Sequence, residues 1–174
     1  AVADSTLAEL QALDVGTWKA ARYRGERMPT LAQVLDVVPP GKKILIEIKS
    51  GPEIVPKLVE VLQATQLPRS QIIVIAFQEP VVVAVKRHLP ELKVYWLAGF
   101  KQDKQTKVWS PTVDELLRTF DRLPADGLDV QGNRQFVDRT LVDQLRQRGK
   151  EFHVWTIDEP DDARHFQSLG ADSI

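Results

Sequence analysis

Short apolar runs alternate with longer amphipathic stretches from about residue 42 to the end of this 174-residue sequence. The runs have the length of buried strands, and the stretches between them have the apolar spacing of amphipathic helices. A parallel strand needs a crossover before the next strand can pair with it, and a helix usually supplies that crossover. The alternation therefore predicts an α/β fold built on a parallel sheet.

Six strands are predicted, at residues 44–48, 72–77, 92–97, 127–130, 152–157 and 171–174. Five helices are predicted between them, at residues 53–65, 79–88, 112–120, 138–148 and 159–169. Successive strands lie roughly 20 to 30 residues apart, which suits either a doubly wound sheet or a TIM barrel without its first two βα units. The alternation of strands and helices leaves both folds open.

The first 40 residues have a different pattern. Helices are predicted at residues 6–13 and 30–38, on either side of a polar and aromatic segment. The second helix ends at Pro39-Pro40-Gly41, which is a turn signal. We interpret residues 14–41 as a loop or small insertion that precedes the first predicted strand.

The composition indicates which classes of molecule the protein is not expected to bind. Basic and acidic residues, 23 against 24, are mixed along the chain without a long basic tract, so nucleic acid is not an expected partner. No apolar stretch reaches the length of a membrane span. The absence of cysteine excludes disulfides and cysteine nucleophiles but fits a cytoplasmic or a secreted protein equally, and the composition sets no oligomeric state.

Both ends of the sequence look incomplete. The sequence begins at Ala1 without a signal-peptide pattern, and its single methionine is Met28. Residues 170–174 read as a strand that has just begun. We therefore expect residues 1–174 to be one domain truncated at both ends.

The strand at residues 44–49 carries the first candidate site. Its side chains alternate, with isoleucines on one face and Leu45, Glu47 and Lys49 on the other. In a barrel, Glu47 and Lys49 would point inward at the carboxyl-terminal mouth, where barrel enzymes keep their active sites. A carboxylate and an ammonium group in this order suit a hard cation beside a phosphate oxygen. The alternative is a half-exposed strand whose charges are solvated.

Trp155 has a similar position near the end of a later strand, where a tryptophan can form an apolar wall for a small ligand. The alternative is a core tryptophan beneath a helix. Phe77 is predicted to belong to the core. The three histidines, His88, His153 and His165, do not pair by spacing with another base or nucleophile and are interpreted as structural.

Four segments together resemble the glycerophosphodiester phosphodiesterase family, whose members are TIM barrels. LDVGTW at residues 13–18 is similar to the family's Leu-Asp-x-Gly-x-Trp segment. GERMPTL at residues 25–31 is similar to its Gly-Glu-x-Ile-Pro-Thr-Leu segment, with Met28 in place of isoleucine. The strand that ends in Glu47-Ile48-Lys49 and the segment VWTID at residues 154–158 complete the match, in the family's order. The resemblance implies a TIM (β/α)8 barrel of which about six βα units, strands three to eight, are present.

The resemblance also implies roles for three residues. Glu47 would be one of three carboxylates that bind a divalent cation, Ca2+ or Mg2+, Lys49 would contact the substrate phosphate, and Trp155 would line the glycerol pocket. The family's His-Arg-Gly motif carries its catalytic histidines, and this sequence does not contain that motif. No catalytic residue is assigned, and the 174 residues are expected to be catalytically incomplete.

The resemblance implies metal-dependent hydrolysis of glycerophosphodiesters to glycerol 3-phosphate and an alcohol. One alternative is a related barrel phosphodiesterase that acts on lysophospholipid or sphingomyelin, for which the loop at residues 14–29 is the place to look. A second alternative is a non-catalytic domain that binds a phosphate ligand. A small polar pocket beneath Trp155 favours glycerol diesters, whereas an open apolar groove favours lipids.

Overall fold

The structure, a computed structural model, describes residues 2–174 and is built around a sheet of five parallel strands. The strands of this sheet, in spatial order, are β1 (Ile44–Glu47), β2 (Ile72–Ala76), β3 (Lys93–Ala98), β6 (Gly127–Gln131) and β7 (Glu151–Trp155). Two more strands, β4 (Lys101–Gln102) and β5 (Trp109–Ser110), form a separate antiparallel hairpin. The spatial order of the sheet never reverses along the chain. The sheet is therefore singly wound, as part of a TIM barrel is, and not doubly wound.

Helices connect the strands of the sheet. The α-helices are α1 (Leu7–Ala12), α2 (Leu31–Asp36), α3 (Val55–Ala64), α4 (Glu79–His88), α5 (Val113–Asp121), α6 (Arg139–Gln147) and α7 (Pro160–Leu169). Short 3-10 helices lie at Val2–Asp4, Ala21–Tyr23, Pro52–Ile54 and Arg69–Gln71. Among the described residues, no helix is both long and apolar enough to cross a membrane.

Local chemistry sets several helix boundaries. Thr112 accepts a hydrogen bond from the backbone N–H of Glu115, whose carboxylate accepts one from the N–H of Thr112, so α5 begins with a capping box. Asp138 caps the start of α6 by accepting from the N–H of Leu141 at 2.9 Å. The helix α7 ends at Gly170, whose φ of 94° is in the left-handed region that favours glycine.

The core lies between the sheet and its helices. Alternate strand residues, Val74, Val94, Leu128, Val130 and Phe152, are fully buried there. The other strand face lines the inside of the partial barrel and carries the polar side chains. This division confirms the predicted alternation in β1, where Ile44 and Ile46 pack against the core and Leu45 is 42% exposed on the opposite face.

Two features differ from the predicted elements. The last predicted strand, at residues 171–174, forms an isolated parallel bridge between Ser173 and His153 and not a full strand. The hairpin β4–β5 was not predicted, because each of its strands has two residues and the segment between them is polar. Such a short, polar segment has no apolar alternation to detect.

The segment at residues 14–41 contains a tight loop that Asp14 organises. Its carboxylate accepts hydrogen bonds from the backbone N–H groups of Gly16, Thr17 and Gly25 and from the Thr17 hydroxyl, at 2.7–2.9 Å. These donors hold the pKa of Asp14 well below its usual range. A Cβ at Gly16 would lie 2.0 Å from the Tyr23 carbonyl oxygen, so only glycine fits there. Asp14 and Gly16, two residues of the LDVGTW segment, thus shape this loop.

Candidate active site

A cavity of about 460 Å³ opens on the inner face of the sheet, at the carboxyl ends of the strands. Its lining includes Glu47, Lys49, Phe77, Asp129, Trp155 and Thr156. The structure therefore brings together Glu47, Lys49 and Trp155, three residues that lie up to 108 positions apart in the sequence. Each is at or just beyond the end of a parallel strand, the usual place for an active site in a barrel.

Glu47 is the last residue of β1, and Lys49 follows it on the same side of the chain. The Lys49 Nζ lies 3.5 Å from the Glu47 Oε2. The Lys49 side chain is 80% exposed and that of Glu47 is 32% exposed, so this ion pair contributes little to stability. Each group can therefore leave the ion pair and bind a ligand that enters the cavity.

Trp155 ends β7 and forms one wall of the cavity. Its indole Nε1 donates a hydrogen bond to the backbone carbonyl oxygen of Asp129 at 3.2 Å, which fixes the ring across the end of β6. Gly99 lies beneath the ring, and a Cβ there would be 3.6 Å from the indole. The ring is thus held by its neighbours with one face left toward the cavity.

Phe77 also lines the cavity, so its predicted place in the core is wrong. Its side chain is 48% exposed, and its ring meets that of Trp155 edge to face. The physical reason is strand periodicity, because Phe77 shares the inward parity of Ile73 and Ile75. Its residue type could not show that it lines a cavity, because the core and cavity walls contain the same apolar residue types.

Asp129 also lines the cavity. It lies near the end of the strand predicted at residues 127–130, and the sequence leaves open which face of the sheet its side chain is on. It lies in the middle of β6 between outward-facing Leu128 and Val130, and only 4% of it is exposed. Its Oδ1 is buried and has no hydrogen-bond partner among the residues that the structure describes. Burial raises its pKa to about 6, and the nearby negative charge of Glu47 adds to the rise. The apolar residues on either side were the signal that could have placed it inside the barrel.

Gln131, two residues further along β6, makes a structural contact. Its Oε1 accepts a hydrogen bond from the backbone N–H of Phe100 at 3.1 Å. Phe100 in turn stacks on Phe136, with ring centroids 4.6 Å apart. This contact ties the loop after β3 to the mouth of the cavity.

None of the three histidines lines the cavity. His153 is buried, with its Nδ1 2.7 Å from the Ser173 hydroxyl and its ring stacked on Tyr95 at 4.1 Å. His88 lies in the last turn of α4, and the His165 ring contacts Phe166 in α7. The interpretation of all three histidines as structural stays a prediction.

The carboxylates of the cavity suit a hard cation. Within residues 2–174, no cluster of three or more histidine, cysteine or acidic side chains is arranged as a complete metal site. Glu47 and Asp129 nevertheless supply two acidic groups to one cavity, and the unpartnered Asp129 Oδ1 is a buried oxygen of the kind that Ca2+ and Mg2+ prefer. The residues present therefore fit a divalent cation.

The loop at residues 14–29 contributes no side chain to the lining of this cavity. Trp18, in its LDVGTW segment, is 81% exposed, and its indole Nε1 donates to the Val15 carbonyl oxygen at 2.8 Å. The part of the chain expected to distinguish a lipid substrate thus lies apart from Glu47 and Lys49.

Comparison with known proteins agrees with this geometry. YhdW of Bacillus subtilis (strain 168) is 28% identical over 179 residues, an alignment that covers 99% of this chain and 68% of YhdW. The glycerophosphodiester phosphodiesterase of Caldanaerobacter subterraneus subsp. tengcongensis is 27% identical, with 99% of this chain and 68% of the relative covered. The chain thus spans about two thirds of the length of these relatives.

Solved structures show the same fold. A phosphodiesterase of Oleispira antarctica, in complex with the product sn-glycerol-3-phosphate, superposes with a TM-score of 0.77 at 24% identity, covering 99% of this chain and 67% of that one. A glycerophosphodiester phosphodiesterase of Parabacteroides distasonis gives a TM-score of 0.70 at 21% identity, covering 97% and 65%. The model of the glycerophosphoryl diester phosphodiesterase family matches residues 1–174. The chain belongs to the glycerophosphoryl diester phosphodiesterase family.

Proposed function

We propose that the protein hydrolyses glycerophosphodiesters to glycerol 3-phosphate and an alcohol, with a divalent cation, Ca2+ or Mg2+, bound at Glu47. Membership of the family over the whole chain supports the reaction type. The observation that carries the proposal is the meeting of Glu47, Lys49 and Trp155 at one cavity. A cation ligand, a phosphate contact and an apolar wall are three of the groups that binding of a glycerophosphodiester would use.

Glu47 has the chemistry of a cation ligand. It presents a partly exposed carboxylate at the end of β1, where a ligand in the cavity can reach it. Carboxylate oxygens are the ligands that both Ca2+ and Mg2+ prefer. When bound there, the cation would neutralise phosphate charge and activate the attacking oxygen.

Lys49 is suited to contact the phosphate. Its ammonium group carries three donors on a flexible stem, and its 80% exposure leaves it free to follow a phosphate oxygen. Its position 3.5 Å from Glu47 would place a bound phosphate next to the cation. A diester that enters the cavity would then replace the Glu47–Lys49 ion pair with stronger, more specific contacts.

Trp155 would contact the glycerol moiety. Its ring is held by the Asp129 carbonyl and flanked by Phe77, so little freedom is lost when a ligand packs on it. The apolar ring can pack against the carbon atoms of glycerol, while the polar groups at the mouth can bind its hydroxyls.

The distribution of polar groups favours a small diester over a lysophospholipid or sphingomyelin. The mouth carries the polar residues Glu47, Lys49 and Thr156 beside the rings of Phe77 and Trp155. Leu45 comes two residues before Glu47 in β1 and so lies deeper in the barrel. A long acyl chain would need an apolar groove that leads outward from the mouth. The sn-glycerol-3-phosphate bound by the Oleispira enzyme is a small polar product of the expected kind.

A hydrolysis assay tests the proposal. The full-length protein would be incubated with glycerophosphocholine, lysophosphatidylcholine or sphingomyelin, with EDTA and after addition of Ca2+ or Mg2+. The expected result is release of glycerol 3-phosphate from glycerophosphocholine that stops with EDTA and returns with one of the cations. Release that is insensitive to EDTA, or preferential cleavage of a lipid, would contradict it. Binding without any turnover would indicate the non-catalytic alternative.

A further inference from the structure

The hairpin β4–β5 follows the end of β3, beside the wall of the cavity that Trp155 forms. Gly99 and Phe100 connect β3 to this hairpin. A Cβ at Gly99 would lie 3.6 Å from the Trp155 indole, and the Phe100 N–H donates to the Gln131 Oε1 at 3.1 Å. Contacts with the ends of β6 and β7 thus hold the base of the hairpin. The hairpin therefore belongs to the mouth of the cavity.

Lys101, the first residue of the hairpin, continues the alternation of β3. Ala98 and Phe100 are buried in the core outside the sheet. Leu97 lines the cavity, and Gly99 approaches the indole that forms its wall. Lys101 is the next residue of this second, inward set. Its side chain is therefore on the side of the chain that faces the cavity.

The pairing within the hairpin agrees with this direction. Lys101 pairs with Ser110, and Gln102 pairs with Trp109. The Trp109 ring packs against the core and meets the Phe136 ring, with ring centroids 5.3 Å apart. Successive pairs of a hairpin have their side chains on opposite faces, so Lys101 and Ser110 lie on the face away from the core.

The Lys101 ammonium group is exposed and has no counter-ion. Within residues 2–174, its side chain takes part in no ion pair. Asp103 is the one acid of residues 99–110, which also contain Lys104 and Lys107. Its carboxylate accepts hydrogen bonds from two backbone N–H groups of its own turn and from the Thr106 hydroxyl, at 2.7–3.0 Å. The hairpin thus presents an unpaired positive charge at the mouth, which attracts an anionic part of a ligand.

We propose that Lys101 binds an anionic group on the alcohol of the substrate and so sets a preference for glycerophosphodiesters with an acidic alcohol. This inference rests on the proposed function, because that function supplies the diester. The reacting phosphate is assigned to the cation and to Lys49, and the glycerol moiety has no charge of its own. The alcohol is therefore the part of the substrate that can present a further carboxylate or phosphate to Lys101.

A matched pair of substrates tests the inference. Glycerophosphoserine and glycerophosphoethanolamine differ by a single carboxylate on the alcohol. The full-length protein would be assayed for kcat/KM with each substrate at saturating cation, as wild type, Lys101→Gln, Lys101→Glu and the control Lys42→Gln. Lys42 is an exposed lysine two residues before β1, at the opposite end of the barrel. The two Gln variants remove the same charge, so only its position differs.

The expected result is a change in the ratio of the two kcat/KM values, with glycerophosphoserine as the numerator. The ratio should fall about two- to fivefold in Lys101→Gln, the range for an exposed ion pair, and further in Lys101→Glu. It should equal the wild-type ratio in Lys42→Gln. Added salt should lower the wild-type ratio and leave that of Lys101→Gln nearly constant, because salt screens exposed charges.

Three other outcomes would overturn the inference. A wild-type ratio in both Lys101 variants would do so and leave the proposed function standing. An equal loss of kcat/KM on the two substrates would also do so, because Lys101 would then act on a group that both substrates share. If wild type hydrolysed neither diester, the proposed function would fail, and the inference with it.

Discussion

Phe77 and Trp155 meet edge to face at the mouth of the cavity, with ring centroids 5.6 Å apart and ring planes inclined by 83°. Phe77 directly follows β2, and Trp155 is the last residue of β7. The strands β3 and β6 lie between β2 and β7 in the sheet. Their contact therefore spans the inside of the partial barrel. The indole of Trp155 is held by this contact and by its hydrogen bond to the Asp129 carbonyl oxygen.

Replacing Phe77 with alanine should weaken substrate binding more than folding. The edge-to-face contact is worth about 0.5–1.5 kcal/mol, so the KM for glycerophosphocholine should rise about two- to tenfold. Because Phe77 is half exposed, its loss should lower the melting temperature less than a core substitution would. Steady-state kinetics measures the change in KM, and thermal melts measure the change in melting temperature. Val83→Ala, at a half-exposed position on α4, serves as the control, and an unchanged KM in Phe77→Ala would contradict the assignment.

Gly127→Ala should destabilise the protein by roughly 1 to 3 kcal/mol. A Cβ at this first residue of β6 would lie 2.9 Å from the Glu151 carbonyl oxygen and 2.9 Å from the Tyr95 ring. Neither the backbone oxygen of β7 nor the buried ring can move away. Gly99→Ala is the matched control, because its nearest contact would be an ordinary 3.4 Å. Urea unfolding of both variants measures the difference, and equal midpoints would refute the close packing at Gly127.

Stability should fall as the pH drops below 6.5, the ordinary pKa of histidine, and His153 should cause part of this fall. Burial lowers the pKa of His153 more than its acidic neighbours raise it, so the unfolded chain takes up the proton more readily. The charged groups that act on the ring are Asp172, Glu151, Lys43 and Lys93. The stability is present above pH 6.5 and is lost as the pH falls through the lowered pKa of the folded state.

His153→Asn tests this pH dependence, since its amide can keep the contact with the Ser173 hydroxyl. Between about pH 7.5 and about pH 5.5, the melting temperature of wild type should fall by about 2–4 °C more than that of the variant. Parallel curves for the two proteins would show that His153 does not titrate differently on folding.

Asp14→Ala should open the loop at residues 14–29 without unfolding the domain. The carboxylate satisfies four donors of this loop, so its removal leaves the backbone N–H groups of Gly16, Thr17 and Gly25 to water. Limited trypsin digestion should then cleave faster after Arg22 and Arg24, while the thermal midpoint changes little. Cleavage at the wild-type rate would show that the loop is held by other contacts.

The sequence predicted the fold because the strand and helix periodicities are strong signals of which face is buried. The five strands of the sheet lie where the apolar runs predicted them, and the family resemblance selected the barrel over a doubly wound sheet. The alternation of β1 also predicted that Glu47 and Lys49 share the inner face, and both line the cavity. Their roles toward cation and phosphate stay predictions that binding and kinetic experiments must test.

The parts of the site that sequence reasoning missed depend on contacts between distant segments. Phe77 was assigned to the core because an apolar residue at a strand end is as common in the core as in the wall of a cavity. Leu128 and Val130 indicate which way Asp129 points, but an alternation of only two apolar residues is too short to decide it from the sequence. The missing hydrogen-bond partner of its Oδ1 is a property of the assembled barrel and has no local signature.

The central claim is that Glu47 binds the cation and Lys49 binds the phosphate. It is tested most directly by the cation dependence of glycerophosphocholine hydrolysis in Glu47→Gln and Lys49→Gln. Glu47→Gln should raise the cation concentration needed for half-maximal rate by about tenfold or more, because an amide is a weaker ligand than a carboxylate. Lys49→Gln should raise the KM for the diester at saturating cation and leave the half-maximal cation concentration unchanged. A wild-type cation dependence in Glu47→Gln would contradict the account.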